Sequence, residues 1–206
     1  MAADLPGADV TPTPAQRAAW AARGGLRIEG FLPPGQAEAL LAALRALPHP
    51  LRASEGALGF LYGECTLVPE PDCDHPLCAF GRWWHDAGRA FVADLSGLAL
   101  ASPADHRVVG MHYGKGGYLD CHNDYDGQRA VAYVLGLTPA AWPWEEGGHL
   151  EFVAVEGDAE VLVERRPPGF NTLDLFDVST GGPLHRVPIL TAHHERRTIS
   201  GWFLRG

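Results

Sequence analysis

The stretch Val131-Ala-Tyr-Val-Leu-Gly-Leu137 decides the fold class, because an unbroken run of apolar and small residues of this length indicates a buried strand. Other short apolar runs lie on both sides of it, and Gly, Pro, Asn and Asp fill the gaps between them. They cover residues 108–111, 150–155, 172–176, 187–190 and 199–204. This succession of short strands predicts a jelly roll.

Helical periodicity is confined to the N-terminal half of the chain. Apolar positions that follow Phe31-Leu-Pro-Pro-Gly have the i, i+3, i+4, i+7 spacing of a helix with one buried face, and two prolines end it. A second helix is predicted over about 80–95, and a short strand at Leu26 and Ile28. The fold class is therefore α+β and mainly β, a jelly roll with N-terminal helices packed on one face.

The chain is predicted to form one domain. Its 206 residues suit a single barrel or sandwich, and they contain no internal repeat. Residues 1–14 are small, polar and proline-rich, so we predict a flexible tail before a single domain at 15–206.

Charge and hydropathy narrow the class of protein. The 16 basic and 25 acidic residues give a net charge of -9, which argues against a nucleic-acid or anionic-membrane surface because phosphate binding depends on Lys and Arg. The N-terminus lacks the apolar core of a signal peptide, and the chain lacks an apolar run of about 18 residues. We therefore expect a cytoplasmic protein without a nucleic-acid or membrane partner, and the sequence does not predict its oligomeric state.

The four cysteines do not form the framework of a small secreted domain. The segment Cys73-Asp-His75-Pro-Leu-Cys78 could hold zinc, but it offers only three candidate ligands and lacks the usual CxxC spacing. Free thiols in a loop are the favoured interpretation.

The strongest chemical signal is His122-Asn-Asp124. Residues i and i+2 of an extended segment point the same way, so an imidazole and a carboxylate converge on one point. Such a pair is weak by itself in a chain with ten histidines, but His185 offers a third ligand later in the sequence. Two histidines and one carboxylate form the facial triad of non-haem iron(II), which leaves three coordination positions open on one side.

A third element supports this interpretation. Arg196, Thr198 and Ser200 share one face of the last predicted strand, and an arginine beside a hydroxyl suits a carboxylate. A dicarboxylate such as 2-oxoglutarate could chelate iron at its 2-oxo-acid end and meet Arg196 at the other. A register slip of one residue would exchange Arg196 for Arg197, so Arg197 stays open as the alternative.

Several short motifs follow one another in the second half of the chain. They are Tyr113-Gly-Lys-Gly-Gly-Tyr118, His122-x-Asp124, Gly147-Gly148-x-Leu150, His185-x-Val187 and Arg196-x-Thr198. In this order they resemble the prolyl 4-hydroxylase-like branch of the iron(II)/2-oxoglutarate oxygenase superfamily. The ending from Arg196, Arg-x-Thr-Ile-Ser-Gly-Trp-Phe, looks particularly like the enzymes that hydroxylate a prolyl residue of a ribosomal protein. The resemblance covers about residues 26–205.

The resemblance implies a double-stranded β-helix of cupin-like type. It implies hydroxylation of a prolyl residue in a protein or peptide. Fe(II) is the expected cofactor, O2 and 2-oxoglutarate are consumed, and succinate and CO2 are released. L-ascorbate is among the expected requirements. The resemblance assigns the metal to His122, Asp124 and His185, and the cosubstrate to Arg196, Thr198 and Tyr113.

Some features leave alternatives open. A tyrosine that the family often carries in the strand after H-x-D is Gly136 here, and Tyr133 lies on the other side of that strand by parity. The loop Trp142-Pro-Trp144 could contact substrate or form a packed turn. The substrate could also be a free amino acid, a natural product or another small molecule, and the fold could serve as a non-catalytic jelly-roll binding module.

Overall fold

Eleven antiparallel strands form one curled sheet in the computed structural model, which describes residues 10–103 and 106–206. The strands are β1 (Gly25–Glu29), β2 (Leu51–Glu55), β3 (Gly59–Leu67), β4 (Val108–Tyr113), β5 (Tyr118–His122), β6 (Arg129–Leu137), β7 (Leu150–Glu156), β8 (Ala159–Arg166), β9 (Phe170–Asp177), β10 (Leu184–Val187) and β11 (Arg196–Leu204). Their spatial order is β1-β9-β6-β11-β4-β3-β5-β10-β7-β8, and β2 also pairs with β3.

The sheet folds over at β3, because β3 pairs with β4 through its second half and with β5 through its first half. The result is two layers, a larger one from β1 to β4 in that order and a smaller one from β5 to β8. The layers pack face to face, since Phe152 of β7 and Phe176 of β9 meet edge to face with ring centroids 5.3 Å apart. The jelly-roll prediction is confirmed.

Among the described residues before β4, the chain forms four α-helices. They are α1 (Pro14–Arg23), α2 (Pro34–Ala46), α3 (Pro76–Trp83) and α4 (Arg89–Ser96), and a π-helical turn (Trp84–Gly88) joins the last two. Both predicted helices are confirmed, α2 as one and the segment from α3 to α4 as the other. Helix α1 was not predicted, although Thr13 and Gln16 form a capping box that marks its start.

The helices cover the outer face of the larger layer. Leu135, Leu173 and Ile199 lie on that face with no exposed surface, in one apolar cluster with Trp84 of the π-helical turn. Burying a side chain of this kind stabilises the fold by about 1.5–3 kcal/mol. Because side chains alternate along a strand, the same strands turn their remaining side chains, many of them polar, into the space between the layers.

The π-helical turn depends on one glycine. A Cβ atom at Gly88 would clash with the indole of Trp84 one turn earlier. With glycine there, Trp84 lies against Tyr133 and Phe203, at ring-centroid distances of 5.3 and 5.2 Å. The helical segment is thereby fixed to β6 and β11.

One predicted strand has different bounds in the structure, and four strands were not predicted. The run at 187–190 was predicted as a strand, but β10 ends at Val187 because Pro188 has no N–H for a ladder. The strand instead begins at Leu184 and contains His185. Strands β2, β3, β5 and β8 went unpredicted because none of them is a mainly buried run.

The prediction of free thiols is wrong for two of the four cysteines. Cys73 and Cys78 form a disulfide, with their Cα atoms 6.0 Å apart. The N-cap of α3, His75, turns the chain so that Cys78 in the first helical turn comes back beside Cys73. A disulfide leaves no thiolate for zinc in this segment, whereas Cys65 and Cys121 are free thiols.

The predicted tail falls largely on residues 1–9, which lie outside the described residues. Val10 packs against the core, and Pro14 begins α1. Within residues 10–103 and 106–206, no helix combines the length and the apolar character needed to cross a membrane.

Candidate active site

The two predicted histidine ligands face each other across a strand pair. His122 is the last residue of β5, and His185 of β10 is its direct partner in the antiparallel register. Asp124 follows two residues after His122 and is buried. Its carboxylate oxygens lie 3.6 Å from Nε2 of His122 and 3.5 Å from Nε2 of His185. One ligand atom of each residue lies within 4.8 Å of the others, so the three side chains could hold one metal ion.

Backbone carbonyls orient both imidazoles. Nδ1 of His122 lies 2.8 Å from the Asp120 carbonyl oxygen, and Nδ1 of His185 lies 3.1 Å from the Pro183 carbonyl oxygen. A carbonyl can only accept, so each Nδ1 carries the proton and donates it. Each Nε2 then keeps a lone pair directed at the shared centre, which is the tautomer a metal ligand requires.

The electrostatics of the three side chains suit metal binding. Burial alone would raise the pKa of Asp124, but hydrogen bonds from His122 and Trp202 and the charge of His185 outweigh it and lower that pKa. Burial lowers the pKa of His185. Burial would also lower the pKa of His122, but the contacts with Asp124 and the Asp120 carbonyl raise it. The lowered pKa values favour the carboxylate form of Asp124 and the neutral imidazole of His185, which are the forms that bind a metal.

Arg129 and Trp202 flank the Asp124 carboxylate, and neither was predicted from the sequence to lie in the site. The Arg129 guanidinium lies 3.6 Å from the centroid of the Trp202 ring, and its Nη1 lies 3.6 Å from Oδ1 of Asp124. Nε of Arg129 also pairs with Asp126 at 3.0 Å. The signal that could have found them is parity, since Trp202 shares its strand face with Arg196.

Arg196 is a buried cation without a salt bridge among the described residues, and the buried Asp174 carboxylate that acts on it electrostatically bonds instead to Arg27 and Arg166. It pairs with Tyr113 across β11 and β4, and its guanidinium carbon lies 4.9 Å from the centroid of the Tyr113 ring. Among the described residues, no carboxylate lies within 4.0 Å of it. Burial lowers the pKa of Arg196, although a guanidinium stays protonated in proteins. An anion from outside would compensate this charge.

Arg197 points to the other face of β11. Its guanidinium lies 3.4 Å from the Glu195 carboxylate, and its backbone bonds to Thr138. Strand alternation therefore places Arg196, and not Arg197, on the face of β11 that lines the same cavity as the triad.

A cavity of about 460 Å³ joins these groups between the two layers. Its walls contain the three triad residues, Arg196 and Tyr113. Tyr113 is fully buried, and burial raises its pKa. The volume suits a small cosubstrate together with one residue of a larger substrate.

The hydroxyl groups of Thr198 and Ser200, on the same strand face as Arg196, lie close together. Thr198 is buried, and its Oγ1 lies 3.1 Å from Oγ of Ser200. Ser200 lines the cavity, whereas Thr198 lines a small recess behind it that Arg196 also borders.

Gly136 cannot carry a side chain in this fold. A Cβ atom there would lie 2.5 Å from Oγ1 of Thr172 and 2.7 Å from the carbonyl oxygen of Gly169. Thr172 thus occupies the space beside Gly136, while Tyr133 faces the helices as parity predicts.

The two tryptophans of the loop after β6 have different surroundings. Trp142 is buried, donates its indole N–H to the Gly147 carbonyl at 2.7 Å and stacks on His194. Trp144 is 45% exposed. The packed-turn interpretation therefore describes Trp142, and the exposed ring of Trp144 stays available for contact.

Comparisons with known proteins agree with this geometry. Residues 108–204 match the family model of the 2OG-Fe(II) oxygenase superfamily. Prolyl 3,4-dihydroxylase OGFOD1 of Ostreococcus tauri is 33% identical over 123 residues, which are 56% of this chain and 23% of that protein. Prolyl 3-hydroxylase OGFOD1 of Xenopus laevis is 29% identical over 118 residues, 56% of this chain and 22% of that protein. The chain thus spans about a quarter of the length of these relatives.

Solved structures share the fold. A Pseudomonas putida prolyl-4-hydroxylase has a TM-score of 0.67 at 23% identity, covering 93% of this chain and 98% of that one. A Trichoplax adhaerens prolyl hydroxylase in complex with a hypoxia-inducible-factor peptide fragment has a TM-score of 0.63 at 14% identity, covering 91% and 86%. HygX of Streptomyces hygroscopicus with nickel and 2-oxoglutarate has a TM-score of 0.64 at 12% identity, covering 95% and 88%.

Proposed function

We propose that this chain is a 2OG-Fe(II) oxygenase, as the family match at residues 108–204 supports, and that it is a hydroxylase whose iron is held by His122, Asp124 and His185. The observation that carries the proposal is the convergence of these three side chains beside Arg196 in one cavity. Two nitrogens and one oxygen suit iron(II) and leave three positions for other ligands.

The bound iron and 2-oxoglutarate supply the oxidation, in which O2 and 2-oxoglutarate give succinate, CO2 and a hydroxylated substrate. The chain itself supplies orientation. The carbonyls of Asp120 and Pro183 keep both imidazoles in the ligating tautomer. Trp202 and Arg129 hold the Asp124 carboxylate in place.

Arg196 receives the distal carboxylate of 2-oxoglutarate in this proposal. A buried guanidinium without an anion is unfavourable, and a carboxylate compensates it through two parallel hydrogen bonds. Tyr113 lines the cavity beside Arg196, and Thr198 lines the recess behind it that Arg196 also borders. This requirement for an anion also counts against a non-catalytic binding module. Such a module would retain an unfavourable buried charge at Arg196 that no cosubstrate compensates.

The proposed substrate is a prolyl residue of a protein or peptide. The names of both OGFOD1 relatives support it, as does the peptide complex of the Trichoplax adhaerens enzyme. A small-molecule substrate is the second candidate, because HygX of Streptomyces hygroscopicus has been solved with hygromycin B bound in the same fold. A cytoplasmic location and a requirement for L-ascorbate stay predictions from the sequence.

The test is metal analysis of protein purified without oxygen, coupled to a succinate assay. We expect about one iron per chain and succinate release that prolyl peptides stimulate more than free proline does. Stimulation by free proline or other small molecules alone would favour the second candidate. Protein that binds no iron(II) and releases no succinate would contradict the oxygenase proposal.

A further inference from the structure

Glu64 is a charged residue of the cavity wall that the proposed reaction does not use. It lies on β3, where Tyr62, Glu64 and Thr66 alternate toward the cavity. Its side chain is only partly exposed. Among the described residues, no cationic side chain lies within 4.0 Å of its carboxylate.

The register of the sheet places Glu64 near the cosubstrate end of the cavity but apart from it. Glu64 pairs with Met111 on β4, and Met111 pairs with Thr198 on β11. Two strand spacings therefore separate the backbones of Glu64 and Thr198, roughly 10 Å. Strand β4 therefore lies between Glu64 and the strand that carries Arg196.

The other cations of the cavity are occupied or distant. Arg129 pairs with Asp126 and lies against Trp202. Arg107 has an interaction of its own and is not within 4.0 Å of the Glu64 carboxylate. When a dicarboxylate has bound to Arg196, Glu64 is the charged side chain on this wall of the cavity that still lacks a counter-charge.

We infer that Glu64 selects substrates with a cationic group, an ammonium or guanidinium, next to the carbon that is hydroxylated. The inference rests on the proposed function and narrows its substrate class. Tyr62, two residues before Glu64, turns its ring toward the same wall and packs on Phe60 at 5.0 Å between ring centroids. An aromatic face beside a carboxylate is a favourable receptor for a cation. In a peptide the group is a lysine or arginine beside the target residue, and in a small molecule it is an amine.

The experiment compares matched substrates that differ only in charge. The first series consists of prolyl peptides that carry lysine, norleucine or glutamate beside the proline. The second series pairs a small cationic substrate, an amino-acid amide, with its N-acetyl form, which is neutral. Succinate release gives kcat/KM for each. We expect the lysine peptide to exceed the norleucine peptide about tenfold, the effect of one charged hydrogen bond at a partly exposed site.

Three variants assign the preference to Glu64. Glu64→Gln should abolish it, and Glu64→Lys should invert it in favour of the glutamate peptide. Glu55→Gln removes the same charge from an exposed position of the same hairpin, outside the cavity, and should keep the preference. A merely structural role of Glu64 would not produce the inversion.

The outcomes separate this inference from the proposed function. Hydroxylation of prolyl peptides without a charge preference, or a preference that survives in Glu64→Gln, overturns the inference and leaves the function standing. Preference for the cationic amide, with no prolyl peptide accepted, supports the inference and overturns the prolyl assignment. A panel in which no compound stimulates succinate release counts against both.

Discussion

Replacing Arg196 with methionine removes one buried guanidinium and keeps an unbranched stem over the Tyr113 ring. A hydrogen bond to a charged group contributes about 1.5–3 kcal/mol, and about 1.4 kcal/mol corresponds to a tenfold change in affinity. We therefore expect 2-oxoglutarate binding to weaken at least about tenfold, and about a hundredfold if the contact is bidentate. Because Arg196 has no carboxylate partner within 4.0 Å among the described residues, the free protein loses no ion pair. Its free energy of unfolding should fall by less than about 1 kcal/mol.

The assay is the KM for 2-oxoglutarate from succinate release, with anaerobic titration of the iron-loaded protein as an independent measure of binding. Arg197→Met is the matched control, because its guanidinium pairs with Glu195 on the opposite face of the strand. It should change the KM less than about twofold. The cosubstrate analogue 2-oxobutyrate, which lacks the distal carboxylate, should bind equally to wild type and Arg196→Met.

Two results would refute this reasoning. If Arg197→Met raised the KM more than Arg196→Met did, the strand register that assigns the two arginines would be wrong. If Arg196→Met lost as much affinity for 2-oxobutyrate as for 2-oxoglutarate, the residue would act through the fold and not through the distal carboxylate.

Three further predictions concern the metal, the sheet and the disulfide. Asp124→Ala should lose its iron and its succinate release together, and a variant that keeps both would remove Asp124 from the ligand set. Gly136→Ala should lower the free energy of unfolding by about 1–3 kcal/mol, because the added methyl group would clash with Thr172 and Gly169. The control Gly35→Ala has open space around the added methyl group in α2 and should raise the free energy of unfolding by up to about 1 kcal/mol. Chemical denaturation measures both changes. Cys73→Ser should cost about 2 kcal/mol by loss of a short covalent loop. Reductant should then lower the melting temperature of wild type and not of the variant, and equal shifts in both would contradict the disulfide.

The sequence predicted which three side chains converge better than it predicted their surroundings. The pair His122 and Asp124 is local, so strand alternation alone brings the two side chains together. The position of the third side chain depends on the register of β10 against β5, which pairs His185 with His122 across the sheet. No local pattern specifies that register, and the predicted strand at 187–190 even excluded His185. Residue chemistry, not strand prediction, identified it.

The unpredicted parts of the site lie where local signals are weak. Strand β3 has a mixed pattern of half-buried residues, so Tyr62 and Glu64 offered no apolar run. Arg129 enters the site only because the turn after Asp124 brings the chain back to begin β6. The disulfide escaped prediction because it depends on the first turn of α3, a geometry that the spacing of its cysteines does not reveal.

The two faces of the larger layer have different roles, which explains how the fold stays stable with charged side chains in its cavity. Leu135, Leu173 and Ile199 bury their side chains under the helices, while alternate residues of the same strands turn toward the cavity. The apolar face supplies most of the stabilising burial, at about 25 cal/mol per Å² of apolar surface. The inner face is then free to hold Arg196 and Glu64 without matching charges. Substitutions of the charged side chains on the inner face should therefore change turnover more than stability, and substitutions of the apolar side chains on the helix-facing side should do the reverse.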